Sequence, residues 1–200
     1  CDTGGGGCCG ADAAFAADKL GIAHYYIDMK DAFNELIIKK FRDSYMRGRT
    51  PNPCVDCNTN LKFSLLWDLV EAEFGVEYAA TGHYARITEK EGVFRLGRAA
   101  DRGKDQSYFL YGIGAHRLGK LMFPLNDITK PEVRQLASDM DLPVADKSES
   151  MELCFAGSGD YRAALGGEAE APGDMLDMEG NVIGEHRGVS NYTIGQRRGL

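Results

Sequence analysis

Hydrophobic residues recur with a helical period in several parts of the chain. The clearest case is the stretch from 58 to 74, where apolar side chains fall at i, i+4, i+5, i+8 and i+9: Leu61, Leu65, Leu66, Leu69 and Val70. Helix-ending glycines and helix-starting prolines help to place the other helices. The predicted helices are 11–20, 32–46, 58–74, 129–140 and 160–165.

Short apolar or alternating runs, bounded by glycine and polar residues, predict the strands. One strand begins at Val76 and runs into a turn at Gly82 and His83. A hairpin is expected where two alternating runs flank the turn at 90–92, and the aromatic run 108–111 is expected to be buried. The remaining predicted strands are 23–28, 84–87, 93–96, 173–176, 181–184 and 189–195.

Helices and strands alternate through the first part of the chain, which predicts an α/β fold with a parallel sheet and helices on its faces. Ligands of such sheets bind at the carboxyl ends of strands, the position that Thr81, Gly82 and His83 occupy. An ordinary tight turn with a surface histidine explains these three residues equally well. From Ile128 the pattern predicts a small helical subdomain, and from Gly166 it predicts the first strands of a β domain.

Composition and charge limit the function classes. The net charge is −7, with 44% hydrophobic and 26% charged residues, as is ordinary for a soluble globular protein. This acidic balance argues against a surface coated with nucleic-acid-binding charge, although a local basic surface is compatible with it. No apolar run is long enough to cross a membrane and no secretory signal is apparent, so we expect a cytoplasmic protein without a membrane partner.

Cysteines carry the most distinctive chemistry of the sequence. The six of them are too few and too unevenly spaced for a secreted disulfide scaffold, which indicates a reducing compartment. Cys54 and Cys57 lie in a stiff, proline-containing segment, 49–58, behind a run of basic residues. With a helix cap at Asn58 or Asn60, the Cys57 thiol would lie near a helix N-terminus, where its pKa is lowered.

Three kinds of cysteine chemistry fit this pattern. A structural zinc site takes four ligands; Cys54, Cys57 and Cys154 supply three, and Cys8, Cys9 or a histidine could complete the set. A thioredoxin-type redox pair does not explain the preceding proline segment or the third cysteine. In sulfur-transfer chemistry, one cysteine carries a persulfide and another resolves it, as Cys57 and Cys154 could do. In a variant, Cys54, Cys57 and Cys154 hold an iron–sulfur cluster with one open iron site.

Many sequence blocks occur together in the order found in one enzyme family. The blocks are GRTPNPCVDCN (48–58), LKF (61–63), ATGHYARI (80–87), KDQSYFLY (104–111), FPL (123–125), KPEVRQLA (130–137), ELCF (152–155), GEHRG (184–188) and YTIGQRRGL (192–200). Through them the chain resembles the tRNA-specific 2-thiouridylases over almost its whole length. The resemblance implies a Rossmann-like sheet of the adenine nucleotide α-hydrolase type (an N-type ATP pyrophosphatase), then a small helical subdomain and the start of a β-barrel. We expect these domains at 1–112, 113–166 and 167–200.

The resemblance also implies a reaction and its participants. Enzymes of this family use ATP, with Mg²⁺ expected, to adenylate the C2 oxygen of the wobble uridine in certain tRNAs. A cysteine persulfide then delivers sulfur and AMP leaves. The implied partners are the tRNA anticodon stem-loop and a sulfur-donor protein, either a cysteine desulfurase or a relay protein.

Residue roles follow by position in the matching blocks. Cys57 matches the nucleophile and Cys154 the persulfide cysteine, and the two are expected to form a transient disulfide. Asn52, Pro53 and Cys54 match the segment that touches the target base. Gly82 matches an ATP contact. The residues matching tRNA contacts are His83, Lys104, Asp105 and Gln106.

Two departures from the family pattern affect these expectations. The S-G-G-x-D-S pyrophosphatase loop is absent and the chain begins at Cys1, so we expect missing N-terminal residues and an inactive fragment with poor ATP binding. The β domain is also expected to be cut short. Position 54 is cysteine where some members have aspartate, so a [4Fe–4S] cluster on Cys54, Cys57 and Cys154 is the alternative to the persulfide route. A non-enzymatic zinc- or RNA-binding module is the alternative from another class.

Overall fold

The computed structural model describes residues 9–142, 153–156, 161–165 and 171–198. Its α-helices are α1 (Cys9–Leu20), α2 (Lys30–Phe33), α3 (Lys39–Met46), α4 (Pro53–Asp56), α5 (Trp67–Phe74), α6 (Ala115–Leu118) and α7 (Lys130–Asp139). π-helical segments Asn34–Ile38 and Cys57–Leu66 join α2 to α3 and α4 to α5. The 3₁₀ turns are Ser107–Leu110, Tyr161–Ala164 and Val189–Asn191. The strands are β1 (Ala79–Ala80), β2 (Ala85–Lys90), β3 (Val93–Arg98), β4 (Leu121–Met122), β5 (Gly173–Leu176) and β6 (Val182–His186).

The chain divides into two compact units. The first unit contains 31–53 and the described residues after 150, and the second unit contains 9–30 and 54–142. In the second unit, β1 and β4 pair in parallel, with Ala79 opposite Leu121, and β2 and β3 form an antiparallel hairpin. One core cluster joins Phe63 and Trp67 from the helices to Leu121 from the sheet. The predicted α/β class is therefore confirmed.

In the first unit, α3 packs against segments that are distant in sequence. Phe41 and Tyr45 form a buried cluster with Leu165, and the ring of Tyr45 stacks on that of Tyr161 with centroids 5.3 Å apart. β5 and β6 pair antiparallel, as expected for the start of a β domain. Burial raises the pKa of the Tyr45 hydroxyl, helped by its hydrogen bond to Tyr161, so this tyrosine stays neutral.

Local sequence signals account for the ends of several helices. Thr129 and Glu132 form a reciprocal capping box at the start of α7, with proline in the first turn. Gly21 follows α1 in the left-handed conformation, at a φ of 65°, which glycine adopts without strain. None of the helices in the described residues combines the length and apolar character needed to span a bilayer.

Several predicted elements were wrong. Residues 23–28 form no strand: Tyr26 is exposed, and Tyr25 packs on Phe74, with ring centroids 4.8 Å apart. An apolar run becomes a strand only where a neighbouring strand pairs with it, and the described residues supply none here. The strand from Val76 is reduced to β1, and the predicted strand 189–195 begins as a 3₁₀ turn. The predicted helix 160–165 is a 3₁₀ turn.

Candidate functional site

The helix that carries Cys54 and Cys57 begins earlier than predicted. Its first residue is Pro53, so Cys54 lies in the first turn, and neither Asn58 nor Asn60 caps it. Proline has no N–H to lose and its fixed φ suits a first helical turn, so the helix starts inside the proline segment. Cys57 is therefore the fifth residue of the helix and not the residue just before it.

Asn58 does not cap the helix but forms a buried hydrogen bond to another element. It is 3% exposed, and its Nδ2 donates a hydrogen bond of 3.1 Å to the carbonyl oxygen of Phe109. This bond ties the cysteine helix to the 3₁₀ turn Ser107–Leu110. The helix itself runs through a π-helical segment and is kinked at Phe63, a distortion that recurs at functional sites.

Cys54, Cys57 and Cys154 differ in their surroundings. Cys54 and Cys154 are exposed and Cys57 is half-buried. Although solvent reaches Cys54, the surrounding protein withdraws its thiol from water, and this burial raises its pKa; the nearby charge of Lys62 acts in the opposite direction. Cys54 is therefore mainly protonated at neutral pH.

Cys154 belongs to the first unit, as do Asn52 and Pro53. It lies in a turn whose next residue, Phe155, packs edge-on against the ring of Phe41 with centroids 5.2 Å apart. This aromatic contact helps to hold the turn that carries the exposed thiol.

Among 9–142, 153–156, 161–165 and 171–198, no group of three or more His, Cys, Asp or Glu side chains could hold a metal ion.

His83 is a packed, neutral histidine. Its Nδ1 lies 2.9 Å from the Thr81 hydroxyl, and its ring contacts those of Phe63 and Phe123, with centroids 5.9 and 6.3 Å away. Burial lowers its pKa to about 4, with a smaller contribution from the charge of Lys62. The alternative of a surface histidine is therefore wrong, and at neutral pH the ring can exchange hydrogen bonds but carries no charge.

Gly82 follows β1, which places it at the carboxyl end of a parallel strand. It is exposed, and a Cβ added there would touch only Leu125 Cδ1, at 3.9 Å. Space is therefore open beside its backbone. The position and the open space fit a nucleotide bound at this edge of the sheet.

The loop with Lys104, Asp105 and Gln106 is held by its own side chains. Gln106 exchanges two bonds with Tyr84: its backbone N–H donates to the Tyr84 carbonyl at 2.7 Å, and its Oε1 accepts from the Tyr84 N–H at 3.0 Å. Asp105 accepts from the Ala99 N–H at 2.7 Å and from the Ser107 hydroxyl at 2.6 Å. Asp105 and Gln106 thus fix the shape of the loop that precedes the 3₁₀ turn.

Sequence reasoning missed two features of this region. Lys62, eight positions after Cys54 on the same helix, acts electrostatically on both Cys54 and His83. Its place in the LKF block was the available signal. Tyr108 and Tyr111 were expected to be buried, but they are 64% and 68% exposed, whereas Leu110 between them is fully buried. A one-turn helix cannot bury all its side chains against one core.

Comparisons with known proteins agree over nearly the whole chain. A family model described as tRNA methyl transferase HUP domain matches residues 2–158, and one described as tRNA methyl transferase PRC-barrel domain matches residues 167–200. The chain is similar to proteins named tRNA-specific 2-thiouridylase MnmA. Those of Pelotomaculum thermopropionicum and Geobacter metallireducens are 48% and 47% identical over 193 residues. The alignments cover 94% of this chain and 53% and 52% of the relatives, so the chain spans about half the length of these relatives.

Proposed function

The chain belongs to the tRNA methyl transferase HUP-domain family, and we propose that the protein is a sulfurtransferase that 2-thiolates the wobble uridine of tRNA. The observation that carries the proposal is the presence of two cysteines, Cys57 and Cys154, in the sequence blocks shared with the 2-thiouridylases. We place its activity in the cytoplasm, with the anticodon stem-loop of tRNA as substrate.

The first step activates the uridine. A carbonyl oxygen is a poor leaving group, so ATP transfers its adenylyl group to the C2 oxygen and pyrophosphate leaves. Gly82, at the open carboxyl end of β1, is the proposed contact for ATP, and Mg²⁺ is proposed to bind the ATP phosphates.

The neutral imidazole of His83 and the loop with Lys104, Asp105 and Gln106 are proposed to bind the RNA. Because His83 is uncharged, it would hydrogen-bond a ribose or base rather than pair with a phosphate.

The second step transfers sulfur. The terminal sulfur of a Cys154 persulfide attacks C2, the C2–O bond breaks, and AMP leaves with the former C2 oxygen. The Cys57 thiolate then attacks the Cys154 sulfur, which releases 2-thiouridine and leaves a Cys57–Cys154 disulfide. A thiol reductant supplies two electrons to reopen the disulfide, and a cysteine desulfurase or relay protein reloads Cys154.

Cys54 is proposed to assist rather than to attack. Its raised thiol pKa keeps it protonated at neutral pH, which suits a hydrogen-bond donor to the target base. Asn52 and Pro53, which precede it, are proposed to complete the contact with the base. On this account Cys54 contributes to rate, whereas Cys57 and Cys154 are indispensable.

The test uses the full-length protein with tRNA, ATP and a sulfur donor, and measures 2-thiouridine by mass spectrometry of digested RNA. We expect Cys57→Ser and Cys154→Ser to abolish product, Cys54→Ser to reduce it, and the control Cys8→Ser to match the wild type. Full thiolation by Cys154→Ser contradicts the proposal. Complete loss in Cys54→Ser, with stoichiometric iron and sulfide in the wild type, would instead indicate the cluster alternative.

A further inference from the structure

A groove in the second unit combines exposed aromatic rings with unpaired positive charge. Its volume is about 670 Å³, and its lining includes Tyr108, Tyr111, Arg98 and Arg102. The two tyrosine rings lie with centroids 6.2 Å apart, inclined by 53°. Neither arginine has an ion-pair partner among the described residues, which leaves both guanidinium groups able to bind an anion.

The tyrosines are held outward by the turn beneath them. Leu110 is fully buried in the core, and the Phe109 carbonyl accepts the hydrogen bond from Asn58. The two hydrogen bonds between Gln106 and Tyr84 hold in place the residue immediately before the turn. The rings are therefore presented by a rigid element, and little entropy is lost when a ligand stacks on them.

The groove lining contains one acidic side chain, Asp105, whose charge is outnumbered by those of the two arginines. Both carboxylate oxygens of Asp105 already accept hydrogen bonds, from the Ala99 N–H and from the Ser107 hydroxyl. Arg98, at the end of β3, and Arg102, in the loop that follows, are both exposed. The groove thus has a net positive lining on a chain whose total charge is −7.

We propose that Tyr108, Tyr111, Arg98 and Arg102 form a docking surface for an unpaired stretch of the RNA substrate, with a base stacked on the tyrosines and phosphates bound by the arginines. Aromatic rings stack bases regardless of sequence, and arginines bind the phosphates between them. An acidic peptide would bind the arginines, but its Asp and Glu side chains have no ring to stack on the tyrosines. The inference rests on the proposed function for the identity of the RNA, and the surface adjoins the loop with Lys104.

The test measures binding of a fluorescently labelled anticodon stem-loop RNA to the full-length protein by anisotropy. We expect the double variant Tyr108→Ala/Tyr111→Ala to raise the Kd by roughly 5- to 150-fold, the loss that corresponds to one stacked base. Tyr108→Phe/Tyr111→Phe keeps both rings and should stay within about twofold. Tyr26→Ala removes an exposed ring outside the groove and serves as the matched control, with an unchanged Kd expected.

Two further measurements keep the result decisive. If the alanine variant does not fold, RNA substituted with 5-iodouridine in its loop is photo-crosslinked to the wild type, and a crosslink within 107–111 is expected. An unchanged Kd for the alanine variant, no crosslink to that peptide, or equal displacement of the RNA by poly-glutamate would overturn the surface. Ring-dependent RNA binding by a wild type that cannot thiolate would refute the proposed function and leave the docking surface standing.

Discussion

His83 links packing to chemistry at the level of one side chain. Its ring packs against those of Phe63 and Phe123 and is hydrogen-bonded to Thr81, so protonation would place a charge beside apolar rings. Because of this burial its pKa falls from 6.5 to about 4. The folded protein therefore binds the proton of His83 less readily than the unfolded chain does.

This difference predicts a loss of stability in acid. The contribution of His83 is fully present above pH 6.5 and is lost as the pH falls from 6.5 towards 4, since the unfolded state takes up the proton first. At about 1.4 kcal/mol per pKa unit, the loss is about 3 kcal/mol. Urea denaturation of the full-length protein at pH 7 and pH 4.5 should show a smaller acid loss in His83→Gln.

His116→Gln is the matched control, because it removes an exposed histidine from the same unit. Its acid loss should equal that of the wild type. Carboxylates titrate in the same pH range, so only the difference between the variants reports on His83. An identical acid loss in His83→Gln and wild type would contradict the account of a buried, neutral ring.

The cysteines also divide by environment at this scale. Cys54 and Cys154 are both exposed, but Cys54 has a raised thiol pKa, whereas Cys154 lies on a turn beside Phe155, which packs against Phe41. A donor protein can reach an exposed thiol to load a persulfide, and the raised pKa of Cys54 disfavours the thiolate that this reaction needs. The division of labour proposed for the thiols therefore follows their surroundings as well as their sequence blocks.

Among the elements, the cysteine helix and the 3₁₀ turn lie too close together for a side chain at Gly112. A Cβ added at Gly112, just after the turn, would clash with Thr59 Oγ1 and lie 3.0 Å from Thr59 Cγ2. The Thr59 hydroxyl is buried without a hydrogen-bond partner among the described residues. The position thus requires glycine because of the neighbouring side chain, not because of its own backbone conformation.

We therefore predict that Gly112→Ala destabilises the protein by about 1–3 kcal/mol, the usual cost of overpacking. Thr59→Ala alone should cost little, since its hydroxyl makes no hydrogen bond to lose. The double variant should recover most of the loss, because the clashing atoms are gone. Urea denaturation of the four proteins in a double-mutant cycle measures this coupling.

Gly97→Ala is the control for a glycine that has room. A Cβ there would meet only the Arg86 carbonyl oxygen, at 3.9 Å, and β3 is extended at this residue. Its stability should therefore change little. If the changes in unfolding free energy caused by Gly112→Ala and Thr59→Ala simply add in the double variant, the proposed steric clash between the two side chains is contradicted.

Elements set by local signals were predictable from the sequence. The hairpin of β2 and β3 and helix α7 are confirmed, because a tight turn and the Thr129–Pro131 start act over a few residues. The strand at 23–28 was wrong because pairing depends on a distant neighbour. The cysteine helix begins at Pro53, earlier than the pattern predicts, because proline suits the first turn of a helix as well as a loop.

In the candidate site, too, some features were predictable from the local sequence and others depend on residues distant in sequence. Sequence blocks were enough to single out Cys57, Cys154 and the loop with Lys104. The neutral state of His83 was not predictable, because it depends on rings contributed by the cysteine helix and by the segment after β4. The exposure of Tyr108 and Tyr111 likewise follows from which side chain of the turn enters the core, a choice that sequence periodicity cannot make over four residues.

At the scale of the whole molecule, charge sets a limit on RNA binding. The chain carries a net charge of −7, so it repels a polyanion on average. Affinity for RNA must therefore come from a small number of local contacts. The groove with Arg98 and Arg102 supplies two of them, and the number of phosphates contacted is measurable from the salt dependence of binding.

We predict that the affinity for the anticodon stem-loop depends on these two arginines more than on total charge. For single strands, each phosphate contact contributes about 0.7 to the slope of log K against log salt, so Arg98→Gln/Arg102→Gln should lower the slope by about 1.4. The control Lys39→Gln/Lys120→Gln removes the same charge from side chains already paired with Glu35 and Glu71, at 2.8 and 3.0 Å. Its slope should be unchanged, and an equal decrease in both double variants would mean that binding responds to total charge and not to the groove.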